Sequence, residues 1–465
     1  MSIIKSLPTF NLWPFSKNVL LADDAKNKEN GQMNKQEGIP ALGYEVWVFG
    51  SSLRVLANGG QAGFTDLLEV WDDKVRRRDG VRTFRTRSMM QEVIVTSDVA
   101  MMQDILQRRP AEFYRNVSYF GTFLPSLTSV EGEVWKKTRK IMVKFLHANL
   151  DAWEGIIERN LVSCIEKYIA DGPVDVSRFT AEFTQRSFQE VLFKNKDLST
   201  LTETRPFVRL MRALQFHFLN ESFPFTSRDE RKRNQVYDLF LGLERYDWTE
   251  KLLSDLGDQA GFASAVFTEL TALKYNTAFH IGRVLIDLAT RDASFQERIR
   301  KELASPGDST DDDSFTKACI MESLRFNTPV PVLGMSNFAE YEFGGNVFKP
   351  NTLFYLLLGK ASKESAINDR FPANEFQPSR FLDEATGEFN ASASKTLTFG
   401  HGPRVCPGKQ VDLMYVKMVL RKLLPAYRIT VPEDFKDPEI KTTFIFKYLS
   451  PFTLTFTAIP EGMNE

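Results

Sequence analysis

The sequence predicts a mainly α fold with a small β lobe, built as a single large domain. Three observations carry this. Helical periodicity dominates the stretches from Asp98 to about Lys194 and from Ala260 to about Ala293. Alternating or β-branched runs are short. They fall at residues 45–57 and 92–97, between Pro331 and Leu357, and over Lys441–Thr457. No repeat and no clear internal linker divides the chain after residue 42. A length of 465 residues would suggest about three domains, but one large domain fits the unbroken pattern better.

Residues 1–42 read as a tail and linker, and 43–460 as the folded domain. Ile3–Leu21 is mildly apolar but broken by Pro8, Pro14 and two lysines, so it resembles neither a signal peptide nor an anchor. Phe10, Trp13 and Phe15 fit either a loose tail or an interfacial patch. Ala22–Gly38 is polar, charged and poor in aromatics, as flexible linkers are. Within the domain, the charged run Arg228–Asn234 reads as an exposed loop or a solvated surface between helical segments. After the long Ala260 helix, a second helix covers Phe295–Leu303, and the acidic Ser305–Asp313 interrupts the pattern. Thr316–Phe326 is helical and stops before Pro329. Short strands follow, then an amphipathic helix over Met414–Leu424 and a hairpin over Lys441–Thr457.

Composition excludes several classes of function. The net charge of −1 offers no global attraction to nucleic acid or anionic membrane. Three scattered cysteines, Cys164, Cys319 and Cys406, form neither a disulfide framework nor a zinc site, and they suit a reducing compartment. The four histidines lack metal-ligand spacing. No run of eighteen apolar residues occurs, so no membrane-spanning segment is expected. The protein is expected to be cytoplasmic or peripherally membrane-associated.

The chemistry is written most plainly in Phe399-Gly-His-Gly-Pro-Arg-Val-Cys-Pro-Gly408. Gly400 and Gly402 let the backbone turn sharply and come close to a flat ligand. Pro407 suits a first helical turn, and a cysteine at that point would be favoured as thiolate. A thiolate on a loop is what a haem iron needs for O–O cleavage, and Arg404 is placed to reach a propionate. This stretch resembles the signature of the cytochrome P450 superfamily, Phe-x-x-Gly-x-Arg-x-Cys-x-Gly, at Phe399, Gly402, Arg404, Cys406 and Gly408. The resemblance implies that Cys406 is the axial ligand of haem b and that Phe399 packs beneath the ring.

Further motifs follow in family order. Glu322 and Arg325 share a helix face and precede Pro378-Ser-Arg380-Phe381. The resemblance implies a buried Glu322–Arg325–Arg380 network that holds the cysteine loop. Trp135 and Arg139, four apart, are implied to hold a propionate. The family's arginine in the first strands after the Glu-x-x-Arg helix is replaced by Met335 or Ser336, which leaves one propionate needing another partner. The long helix also departs from the family. Alignment on Asp287-Leu-Ala sets Ala272–Thr277 against the proton-delivery motif Ala/Gly-Gly-x-Asp/Glu-Thr. Leu273 replaces the Gly, Tyr275 the acid and Asn276 the Thr; a shift of one places Thr277 there instead. An amide donates a hydrogen bond but does not relay a proton as a hydroxyl does. His280, one turn on, reads either as a distal acid or base or as a histidine bonded to a neighbouring carbonyl.

The family's substrate segments correspond to Phe113–Phe123, Val330–Leu333 and Tyr448–Phe452, with Val332, Leu333 and Phe452 as the candidate contacts. Their apolar character implies a hydrophobic small-molecule substrate. Lys136, Lys137, Lys140, Lys144 and Lys409 are implied to face an acidic electron donor. The resemblance thus implies a haem-thiolate monooxygenase that uses O2 and a separate NADPH-dependent reductase or redoxin. Asn276 resembles two minorities of the family: allene oxide and prostacyclin synthases, which rearrange lipid peroxides, and some sterol hydroxylases, which keep monooxygenase chemistry. The alternatives are therefore a peroxide-rearranging isomerase or dehydratase and a non-catalytic haem-binding protein.

Overall fold

The computed structural model describes residues 39, 61–88, 91–115, 123–169, 172–194, 201–219, 225–304, 313–364, 370–390, 396–443 and 446–460. The expected strand at 45–57, the tail and the linker lie outside these residues, Ile39 excepted. In chain order the elements are α1 (Gln61–Asp79), β1 (Thr83–Ser88), β2 (Gln91–Thr96), α2 (Val99–Gln107), β3 (Phe113–Arg115), α3 (Gly132–Ala148), α4 (Leu150–Tyr168), β4 (Gly172–Asp175) and α5 (Val176–Leu192). Next come α6 (Arg205–Leu219), α7 (Ser227–Leu241), α8 (Asp247–Leu256), α9 (Gln259–Ala272), a π-helical turn (Leu273–Thr277), α10 (Ala278–Thr290), α11 (Ala293–Ala304) and α12 (Ser314–Phe326). The last part holds β5 (Leu333–Asn337), β6 (Tyr341–Phe343), β7 (Asn346–Phe348), β8 (Leu353–Leu356), α13 (Leu358–Glu364), α14 (Lys409–Leu423), β9 (Tyr427–Thr430), β10 (Ile440–Thr443), β11 (Phe446–Leu449) and β12 (Thr453–Ala458).

The fold is mainly helical with a small β lobe. Its largest sheet has the order β1-β2-β8-β5-β3. Val93, Val95, Phe84 and Leu353 on this sheet pack with Leu68, Trp71 and Val75 of α1. The helical body has one extended core, which runs from Trp153 and Phe183 through Leu285 to Leu420 and Phe456. Asp258 caps α9 by accepting from the Gly261 N–H, and α9, the π-turn and α10 form one continuous rod through this core. The π-turn inserts an extra residue into the helical ladder, a device common at functional positions.

Three local expectations are corrected. Arg228–Asn234 is solvated, as one of its two readings has it, but it is no loop: it is helical, within α7, because Thr226 and Asp229 close a capping box that starts the helix there. Pro407 stands before the N-cap Gly408 of α14, outside its first turn. The hairpin is β10–β11 alone; β12 leaves it to pair with β4 and β9. Helix α1 and strand β1 are additional to the elements read from the sequence.

Candidate functional site

The cysteine loop is shaped by its own backbone. Gly400 and Gly402 have φ of 80° and 70°, which side-chain-bearing residues rarely adopt. A Cβ on Gly402 would stand 2.6 Å from the Leu106 carbonyl oxygen, so only glycine lets the loop lie against α2. The Cys406 N–H donates to the Phe399 carbonyl at 2.8 Å and closes the loop. Cys406, Phe399, Gly400 and Arg404 line a cavity of about 330 Å³. Cys406 is exposed, and the surface it exposes faces this cavity. Burial pushes the thiol up to about 12, although the Gly408 N–H opposes the shift. The helix end thus fails to make a thiolate by itself; a coordinated metal cation would, because it deprotonates a thiol outright.

One flank of the cavity is cationic. Arg109, Arg115, Arg139 and Arg404 line it, together with Trp135. Arg404 lies over the Trp135 ring at 4.2 Å and Arg139 at 5.8 Å. The one carboxylate among them is Glu131, 3.0 Å from Arg109 and in direct contact with Arg404. Glu131 also accepts from the Arg115 N–H at 3.0 Å. Burial together with Arg109 lowers Arg115 to about 10 and Arg404 to about 9, against the pull of Glu131. The buried Nε atoms of Arg109 and Arg404 have no partner. This surplus of buried cation is a place for anionic groups.

Arg109 and Arg115 are absent from the sequence-based expectation, and Arg115 resolves one departure. It stands opposite Met335 in the β3–β5 register. The cation missing from one strand is thus supplied by the strand beside it. The signal was present in Phe113-Tyr-Arg115, but the pairing partner was not readable from either segment.

Glu322, Arg325 and Arg380 are brought together and fully buried. Glu322 accepts from Arg325 at 2.7 and 2.9 Å and from the Gln377 N–H at 2.8 Å, with Arg380 at 3.5 Å. Arg325 also donates to the carbonyls of Lys363, Ala373 and Glu375, and Arg380 to those of Phe371 and Pro372.

On the long helix, Asn276 lines the cavity within the π-turn, and its Oδ1 is buried without a partner. Thr277 also lines the cavity, but its hydroxyl donates to Asp412 at 2.8 Å. His280 is fully buried, with Nδ1 2.7 Å from Asp412 and Nε2 3.3 Å from the Ile320 carbonyl. The carbonyl contact agrees with the blander reading of His280; the Asp412 contact was not foreseen. Leu333 lines the cavity. Val332 and Phe452 do not. Val332 packs in the α1–sheet core, and Phe452 packs over Gly282 on α10. Neighbouring residues in extended chain face opposite ways, so only one of Val332 and Leu333 meets the cavity. Glu269 on α9, unremarked in the sequence, also lines the cavity.

A cytochrome P450 family profile matches residues 277–455. Cytochrome P450 714C3 of Oryza sativa subsp. japonica is 25% identical over 416 residues, covering 76% of this chain and 80% of that protein. Probable cytochrome P450 4ac3 of Drosophila melanogaster is 22% identical over 360 residues, covering 72% and 69%. Cytochrome P450 84A1 of Arabidopsis thaliana is 26% identical over 147 residues, which span 32% of this chain and 28% of that protein. Residues 277–455 thus resemble the cytochrome P450 superfamily, whose members hold haem b through a cysteine thiolate. The residues suit that cofactor: a cysteine opening into the cavity, glycines that admit a flat ring, and a surplus of guanidinium groups over carboxylates.

Proposed function

We propose that the chain is an O2-dependent monooxygenase acting on a hydrophobic small molecule. The observation that carries this is the Cys406 loop opening into an apolar cavity with a cationic flank. In this reading Cys406 ligates the iron and Phe399 packs near the sulfur. Arg404, Arg109, Arg115, Arg139 and Trp135 hold the propionates. Haem, when bound, supplies the redox chemistry that activates O2. The protein supplies the pocket walls, Leu124, Phe267 and Leu333 among them, which exclude water and orient the substrate. Asn276 offers an amide hydrogen bond at the position where the family uses a hydroxyl. Thr277 is committed to Asp412, so it acts by fixing the π-turn.

Electrons come from a separate reductase or redoxin. Lys136, Lys137, Lys140 and Lys144 are exposed along α3, and His147 of the same helix bonds the Pro407 carbonyl of the cysteine loop at 3.2 Å. A basic face beside the ligand loop suits an acidic donor. No helix among the described residues is long and apolar enough to cross a membrane.

A turnover assay comparing reductase plus NADPH with a lipid hydroperoxide alone tests the reading. Product should depend on the electron donor; turnover of hydroperoxide without it would establish the isomerase reading. Asn276→Thr sharpens the result, since a monooxygenase should keep or improve its coupling of NADPH to product. An isomerase should lose about a hundredfold with the missing amide. Reduced protein with carbon monoxide should show the strongly red-shifted Soret band of thiolate ligation, and Cys406→Ala should abolish it.

A further inference from the structure

Glu269 is a carboxyl group in an apolar chamber. It lines the cavity beside Phe267, Met211 and Leu214. Among the described residues nothing donates a hydrogen bond to it or forms an ion pair with it. Thr268, its neighbour, donates instead to the Ser264 carbonyl at 2.9 Å. Lys274, the next cation along the rod, turns to Thr202 at 3.4 Å, and burial lowers its pKa against the pull of Glu203. Burial alone raises Glu269 to about 7, and none of the cavity's arginines offsets it. The other titratable groups on the cavity wall are Arg109, Arg115, Arg139, Arg404, Cys406 and Asp412. The four arginines have Glu131 among them, and Asp412 is engaged by Thr277 and His280.

A carboxyl without a partner on an apolar cavity wall is costly, and such groups mark functional positions. Glu269 stands seven residues before Asn276 on the same rod, and both line the cavity. At a rise of about 1.5 Å per residue they lie about 10 Å apart along the axis. A ligand group held there lies clear of the reacting position and can orient the remainder of the molecule toward it.

We infer that Glu269 is a specificity-determining residue that pairs with a cationic nitrogen of the substrate, so that the preferred substrate is an apolar molecule carrying a basic amine. The inference rests on the reading of the cavity as a substrate pocket. Ionised Glu269 and the ligand cation would neutralise each other where water is excluded. An uncharged analogue would leave the carboxyl unpaired, and a site built around a buried polar group rejects such analogues strongly.

The test uses the haem-loaded full chain and two probes. One is a phenylpropyl-trimethylammonium ion, whose quaternary nitrogen cannot ligate iron or titrate. The other is its uncharged isostere, with a tert-butyl group in place of the trimethylammonium. Binding is measured by calorimetry. At pH 8 the wild type should bind the ammonium at least tenfold more tightly than the isostere. At pH 6, with Glu269 protonated, the preference should shrink. Glu269→Gln should abolish both the preference and its pH dependence, while Glu269→Asp should keep them. Equal preference in wild type and Glu269→Gln would overturn the inference, as would loss of NADPH coupling in Glu269→Gln with the ammonium preference intact. The red-shifted carbon monoxide band separates the two readings. Its absence from the wild type sinks the haem-thiolate assignment; its presence without an ammonium preference sinks the role of Glu269 alone.

Discussion

The Glu322 network and the arginine cluster around Glu131 both bury guanidinium groups, and they differ in what satisfies them. Around Glu322, two arginines meet one carboxylate and at least five carbonyl oxygens, all from the protein. Around Glu131, four arginines line the cavity with one carboxylate among them, and two Nε atoms lack partners. The Arg115 guanidinium makes no hydrogen bond or ion pair among the described residues. The first cluster is closed, as a structural tie should be. The second is left open, as a site for an anionic ligand should be. Buried charge by itself identifies neither; the surplus does.

Several measurements would break or sharpen this contrast, beginning with the largest effect. Glu322→Ala leaves two buried cations without their carboxylate. It should cost about 3–5 kcal/mol, seen as loss of soluble, haem-loaded protein and a collapsed denaturation midpoint. Normal yield would show that the network is peripheral.

Glu269 extends the contrast to a single unpaired carboxyl. Its folded value, about 7, lies above that of an unfolded glutamate, so the folded state binds the proton more tightly. Its contribution is fully present below about pH 4.5 and is lost as pH rises toward 7. Glu269→Gln should therefore stabilise the ligand-free protein at pH 8 by up to about 3 kcal/mol, and hardly at all at pH 4.5. Denaturant titrations at the two values decide it; equal effects at both would mean that Glu269 is not held in a desolvated place.

Arg115→Leu should behave opposite to Glu322→Ala. The ligand-free protein should keep its stability, while haem should bind about 1.5–3 kcal/mol more weakly. Transfer of haem to a scavenger protein would measure this. Lost stability without lost haem affinity would place Arg115 among the structural ties.

Thr277→Val is the mildest test. It removes one hydrogen bond to Asp412 and should cost about 1 kcal/mol. His280 should retain its contact with Asp412, visible in the imidazole resonances.

Much of this architecture is legible in the chain. The Glu-x-x-Arg helix, the long helix through the core and the cysteine loop each lie within a short run whose periodicity or glycine placement dictates the backbone. The Trp135–Arg139 pair follows from one turn of helix. Val332 and Leu333 show where such reading stops. Both are apolar and adjacent, and only the strand's facing separates a core residue from a wall residue. Asn276 and Thr277 show the same. A π-turn, which neither residue type announces, sends one amide to the cavity wall and one hydroxyl to Asp412.

By itself, then, the sequence determined the fold class and the kind of chemistry, because a cysteine loop is a local object whose turn, ligand atom and neighbouring arginine are specified within ten residues. Tertiary structure alone decided which charges surround that loop. Arg115 reaches the site because β3 pairs with β5. Asp412 is engaged because α10 carries His280 against it. Glu269 is left unpaired because the nearest cation on its rod turns toward Thr202. A charge's role depends on what lies within a few ångströms of it, and for a buried group those neighbours come from distant parts of the chain.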